Sequence, residues 1–117
     1  MSASDDDTTV AELRSLMQAF NEARDWGQFH TLKDLAMAVS VEANELLELF
    51  LWKSGDAEID MQRLREELAD VFITALNVAN TAGIDIAQAV RDKVALNGAR
   101  YPVSLSKGKA LKYTELK

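Results

Sequence analysis

Two pairs of acidic residues carry the chemistry this chain could do: Glu42 with Glu45, and Glu67 with Asp70. Each pair is spaced i, i+3, so on a helix its two carboxylates are neighbours on one face. At about 100° per residue, Glu42 falls in the middle of an apolar arc of Leu35, Ala38, Val39, Leu46, Leu49 and Phe50, and Glu45 at its edge. Glu67 and Asp70 share a polar stripe with Thr74, Asn77 and Thr81. The rest of that circumference is apolar: Leu68, Val71, Phe72, Ile73, Ala75, Leu76, Val78 and Ala79. If the two pairs face each other, four carboxylates converge. Two unit charges about 4 Å apart repel by about 4 kcal/mol at an effective dielectric of about 20. A cation must then join them, and oxygen ligands without sulfur or imidazole suit Mg²⁺ or Mn²⁺. The chemistry open to such a site is the binding of a hard divalent cation. The plainer alternative is a pair on a solvated face, where repulsion costs only about 0.2–0.5 kcal/mol. That alternative is adopted for Glu48 and Glu66.

Basic and aromatic residues extend the candidate site. Lys93, Asn97 and Arg100 are spaced i, i+4, i+7 and continue the face of Ile86, Ala89 and Val90. They are either long side chains snorkelling at a helix end, with Lys93 pairing with a carboxylate, or phosphate ligands beside the metal. Trp26, Phe29 and His30 cluster ahead of the first acidic pair, and Trp52 follows it. A tryptophan is ordinarily core. Here Trp52 falls close to Glu45 on the wheel and could stack on a flat base while the carboxylates hold phosphates. His30 could hydrogen-bond a base or a phosphate, or be structural.

Helices must position these residues. The chain has one proline, Pro102, and five glycines, which leaves long uninterrupted stretches suited to an all-α fold. Four helices are expected, over residues 9–24, 32–54, 61–81 and 85–100. Thr31 and Asp60 are the expected N-caps of the second and third; Gly55 and Gly83 sit where C-terminal glycines belong. Pro102 stops the fourth. The expected organisation is a disordered acidic start over 1–8, one helical domain over 9–102, and a tail over 103–117.

Composition bounds the rest. The 117 residues fit one domain. The net charge of −6 disfavours nucleic acid, while a bound divalent cation would still admit a small anion. With no cysteine and one histidine, thiolate chemistry and multi-histidine metal sites are excluded. The start has no basic n-region or apolar h-region, so no signal peptide is expected. No run approaches the ~20 apolar residues of a membrane span; the cytoplasm is the expected compartment.

Taken together, Arg24-Asp25-Trp26-x-Gln28-Phe29-His30, Glu42-x-x-Glu45-Leu46-x-Glu48-x-Phe50-x-Trp52-Lys53, Glu66-Glu67-Leu68-x-Asp70-Val71, Arg100-Tyr101-Pro102 and Lys112-Tyr113-Thr114-Glu115-Leu116 resemble the MazG-type all-α NTP pyrophosphohydrolases, and within them the dCTP pyrophosphatase branch. The resemblance implies a four-helix MazG-like fold assembled as a homotetramer, a dimer of dimers. It implies Mg²⁺ held by Glu42, Glu45, Glu67 and Asp70, phosphate contacts from Lys93, Asn97 and Arg100, and a base pocket lined by Trp26, His30 and Trp52. It implies hydrolysis of a dCTP-like or modified nucleoside triphosphate to monophosphate and pyrophosphate, a house-cleaning role. One position departs: Thr74 stands where that branch is expected to carry an aromatic, which puts the base preference in question. Two rival readings are a non-enzymatic helical interaction module and a carboxylate-bridged di-iron or di-manganese oxidase. The oxidase lacks the usual histidine ligands.

Overall fold

The computed structural model describes residues 3–117, and among them every regular element is helical. The main helices are α1 (Val10–Ala23), α2 (Leu32–Glu48), α3 (Met61–Ala82) and α4 (Ile86–Arg100), followed by the one-turn α5 (Val103–Ser106). Short 3-10 turns occupy Trp26–Phe29, Asp56–Glu58 and Tyr113–Glu115. The chain divides into two compact units, Met1–Ile84 and Asp85–Lys117. The first two residues of the expected disordered start lie outside the described residues. After them, the amides of Asp7 and Thr8 bond the Ser4 carbonyl in a turn.

The helix boundaries follow from local chemistry. Each long helix starts on a short polar side chain that accepts an otherwise unpaired amide. Thr9 accepts from Glu12, Thr31 from Asp34, Asp60 from Gln62 and Arg63, and Asp85 from Gln88. At the end of α3, Gly83 takes the left-handed conformation (φ 68°) and the Ile84 amide reaches the Ala79 carbonyl, a Schellman closure that a residue with a Cβ would strain.

The second helix is shorter than the sequence suggests. The expectation ran to residue 54 with Gly55 as its left-handed stop; α2 ends at Glu48. Beyond it the amides of Leu49, Phe50 and Leu51 reach back three residues rather than four, which winds the chain into tight turns. Trp52, not Gly55, takes the left-handed backbone at φ 63°, while Gly55 is extended at φ 171°. Trp52 therefore lies beyond the helix, off the wheel position beside Glu45 that a longer α2 would give it, and it is 99% exposed.

In the first unit α2 packs along α3, and α1 packs on α3 as well. Leu35, Leu49, Leu76 and Ala79 are buried at the core, with Met17 from α1. Polar links supplement this packing on the α1–α3 side. Arg14 Nε donates to Asn80 Oδ1 (2.9 Å) and its Nη2 to the Ala79 carbonyl (3.3 Å), and Asn80 Nδ2 returns a bond to the Arg14 carbonyl (3.0 Å). Along the polar stripe of α3, Glu67, Asp70 and Thr74 are half-buried and Asn77 is buried, with Thr81 exposed at its end, whereas the apolar residues Leu68 (45%) and Phe72 (60%) stay exposed on the single chain. No helix among the described residues is long and apolar enough to cross a membrane.

In the second unit Tyr101 and Tyr113 meet edge to face, with centroids 5.9 Å apart, and the Arg100 guanidinium lies 5.0 Å over the Tyr113 ring. The expected tail thus carries ordered short elements.

Asp60 starts the helix that carries Glu67 and Asp70. Asp60→Ala is expected to cost about 1 kcal/mol of stability, read as a lower urea midpoint at constant slope. A loss near zero would mean that packing alone fixes the start of α3.

Candidate metal centre

The packing of α2 against α3 brings the two acidic pairs together. One carboxylate oxygen from each of Glu42, Glu45, Glu67 and Asp70 lies within 4.8 Å of the others, and all four residues are half-buried. The apolar arc of α2 around Glu42 and the inward stripe of α3 set this convergence, as the sequence pattern anticipated. Glu48 and Glu66 are exposed and lie outside the cluster.

Two of the oxygens, Glu42 Oε2 and Glu67 Oε2, are buried and have no hydrogen-bond partner among the described residues. A buried carboxylate oxygen without a donor is costly. A hard divalent cation would satisfy both at once, and the all-oxygen donor set fits Mg²⁺ or Mn²⁺. The electrostatics agree. Glu45 holds its proton above the ordinary 4.5, chiefly through a hydrogen bond shared with Glu42, then through repulsion from Glu42 and burial. Glu67 is raised as well, chiefly by burial and then by the charge of Glu45.

A second feature lies further along α3. The Asp25 backbone is left-handed (φ 51°), and Gln28 Nε2 bonds both its carbonyl and its carboxylate. This sets the 3-10 turn that presents Trp26, Phe29 and His30. Trp26 meets Phe20 edge to face at 5.6 Å. These rings open on a cavity of about 300 Å³, also lined by Leu35 and Ile73 and by Asn21, Thr74 and Asn77. A more polar cavity of about 370 Å³ adjoins it, sharing Asn21, His30 and Asn77 and adding Arg14, Glu22 and Asn80.

Of the sequence-derived base-pocket residues, the structure brings Trp26, His30 and Thr74 to one cavity. Trp52 lines neither cavity. Thr74 does not offer its proton inward, because its hydroxyl donates to the helix carbonyls of Asp70 and Val71 (3.1 and 3.0 Å). Lys93, Asn97 and Arg100 lie on α4 in the second unit, each exposed. Sequence reasoning placed Asn77 on the polar stripe without giving it a role, and it passed over Asn21. The two side chains are hydrogen-bonded, Asn21 Nδ2 to Asn77 Oδ1 at 3.0 Å, a contact 56 residues apart in the chain that no local pattern reveals.

Comparison with known proteins adds three findings. A model of the MazG-like family matches residues 37–116, a span that runs through both units. The dCTP pyrophosphatase 1 of Rattus norvegicus is 43% identical over 116 residues, covering 92% of this chain and 68% of that protein. The Homo sapiens protein of the same name is 37% identical over 115 residues with the same coverage. The crystal structure of a pyrophosphatase from Archaeoglobus fulgidus superposes with a TM-score of 0.74 at 35% identity, covering 79% of this chain and 91% of that one.

The raised carboxyls give a pH signature. A carboxyl whose folded pKa exceeds its unfolded value stabilises the fold below the unfolded value, and that contribution is lost as pH rises through the folded value. For Glu45 the loss begins above the ordinary 4.5. In EDTA, the thermal midpoint of Glu45→Gln minus that of the wild type is therefore expected to grow as pH rises, because the variant has no charge to acquire. Excess Mg²⁺ or Mn²⁺ is expected to reverse the difference. A gap that shrinks with pH would contradict the repulsive, metal-free cluster.

Proposed function

The chain belongs to the MazG-like family and is a nucleotide pyrophosphohydrolase, and from that premise we propose that it converts a deoxynucleoside triphosphate, dCTP-like or modified, to the monophosphate and pyrophosphate in a Mg²⁺-dependent reaction. The observation that carries the metal assignment is the convergence of four carboxylates with two stranded buried oxygens. The names of the relatives support the nucleotide substrate.

Glu42, Glu45, Glu67 and Asp70 would hold the cation. Bound there, it supplies charge neutralisation toward the triphosphate and Lewis acidity at the phosphoryl oxygens. The reaction adds water across the α–β anhydride: a P–O bond forms at the α-phosphorus, the bond to the bridging oxygen breaks, and pyrophosphate leaves. Glu42 and Glu67, with their unpartnered oxygens, are assigned to the cation first. Glu45 has no such stranded oxygen; it is assigned to take the proton of the attacking water at its carboxylate. Lys93, Asn97 and Arg100 are assigned to the phosphates, Lys as a point charge and Arg as a planar fork, consistent with their exposure. Trp26, His30 and Thr74 are assigned to the base side, through the cavity they share. Trp52 is assigned there too, by resemblance alone.

We further propose that residues 9–102 work as one domain in a homotetramer. The exposed Leu68 and Phe72 of α3 (45% and 60%) support a partner copy, since an apolar helix face is ordinarily covered. The proposed partner is a small nucleotide in the cytoplasm rather than nucleic acid or a membrane; the net charge of −6 disfavours nucleic acid.

The test is pyrophosphate release from a panel of canonical and modified triphosphates, with Mg²⁺ and with excess EDTA. Pyrophosphate with monophosphate is expected, and only with metal. Glu42→Gln and Asp70→Asn are each expected to lower kcat/KM at least about 100-fold, since even residues behind metal ligands cost 10–100-fold. Both variants should remain folded by circular dichroism. Near-native turnover in either would remove the metal assignment, and orthophosphate as product would overturn the bond proposed to break.

A further inference from the structure

The aromatic cavity supplies faces for a planar ring, and something must read the ring's edge. The polar groups that line it are Asn21, His30, Asp34, Thr74 and Asn77. Thr74 has committed its hydroxyl proton to the α3 backbone, and Asp34 is exposed in the first turn of α2. Asn77 is different. Its residue is only 8% exposed, and a buried amide ordinarily fills its hydrogen-bonding capacity.

Here most of that capacity is unused. Asn21 Nδ2 donates to Asn77 Oδ1 at 3.0 Å, and no other bond is made by either side chain among the described residues. Neither Asn77 Nδ2 nor Asn21 Oδ1 is a sealed, stranded atom, so both keep access to solvent, and both residues line the two cavities. The pair therefore locks itself with one bond and presents an unused donor and an unused acceptor to the cavity. That is the complement of a nucleobase edge with adjacent acceptor and donor, the pattern by which side-chain amides read bases.

The position along α3 fits. Asp70, Thr74 and Asn77 fall on one helix face, and the seven residues from Asp70 to Asn77 span about 10 Å at 1.5 Å per residue. This is the reach of a nucleoside from its base edge to its first phosphate. A substrate with its phosphates at the carboxylates would lay its base between the rings with its edge at the amides.

We propose that the Asn21–Asn77 amide pair is the base-reading element of this enzyme, setting which nucleobase is accepted by hydrogen-bonding its edge. This rests on the nucleotide reading above and adds to it two residues from different helices. It also gives a reason for a small Thr74: a hydroxyl turned back on its helix leaves the way to Asn77 open.

The test is kcat/KM for dCTP, dTTP, dATP and dGTP in the wild type, in Asn77→Asp and in the double variant Asn21→Ala/Asn77→Ala. The aspartate keeps the shape and can still accept from Asn21, but it replaces the cavity donor by an acceptor. The double variant removes both partners, so neither amide is left stranded. Thermal melts establish that each is folded. One good bidentate base contact discriminates by about 5- to 150-fold. The ratio of best to worst substrate is therefore expected to fall at least about fivefold in the double variant and to be reordered in Asn77→Asp. A ranking retained in both folded variants, with all four substrates slowed alike, would overturn the inference and leave the pair structural. A wild type that treats the four bases equally would overturn it too. A wild type that cleaves no nucleotide would instead sink the nucleotide reading, a distinct result.

Discussion

Four carboxylates within 4.8 Å of one another are the constraint around which this fold is arranged. Left to themselves they repel, and two of their oxygens are buried without a donor. What forces them together is apolar packing of α2 on α3: Leu35 on α2, Leu49 just past its end, and Leu76 and Ala79 on α3 are all buried. The α2–α3 seam lies against an electrostatic stress that a bound divalent cation would relieve, and that relief would add to its affinity. The caps of α2 and α3 serve the same end. Thr31 and Asp60 fix where each helix begins, and therefore the rotation at which each acidic pair points.

The inward stripe of α3 divides labour along its length. Its first two turns offer carboxylates, Thr74 closes on its own backbone, and Asn77 and Asn80 bond α1. One stripe thus carries a charge-binding end and an amide-lined end. The turn at Trp26–Phe29 and the helix α1 enclose the second with rings and amides. This polarity suits a ligand with a charged end and a flat, hydrogen-bonding end.

Much of this was legible in residue order. The four long helices, the caps at Thr31 and Asp60, the left-handed Gly83, and the position of Glu42 inside an apolar arc all follow from local chemistry and periodicity. Three things were not legible. The end of α2 misled because no helix breaker precedes Gly55; the shortening is made by backbone bonds to the third residue back, with Trp52 in a conformation that costs L-residues about 1–2 kcal/mol. The facing of α3 was ambiguous because apolar residues cover most of its circumference: packing on α2 and α1 turns the polar stripe inward and leaves Phe72 outside. The Asn21–Asn77 bond joins distant segments, and neither residue has a local signature.

The central claim is that the α2–α3 carboxylates are a divalent-cation site. Anomalous diffraction from a crystal soaked in Mn²⁺ tests it most directly. The account predicts one or more strong peaks within about 2.0–2.3 Å of oxygens of Glu42, Glu45, Glu67 and Asp70, with Glu42 Oε2 and Glu67 Oε2 among the ligands. Density bound only elsewhere, with these four carboxylates paired to protein donors instead, would contradict it.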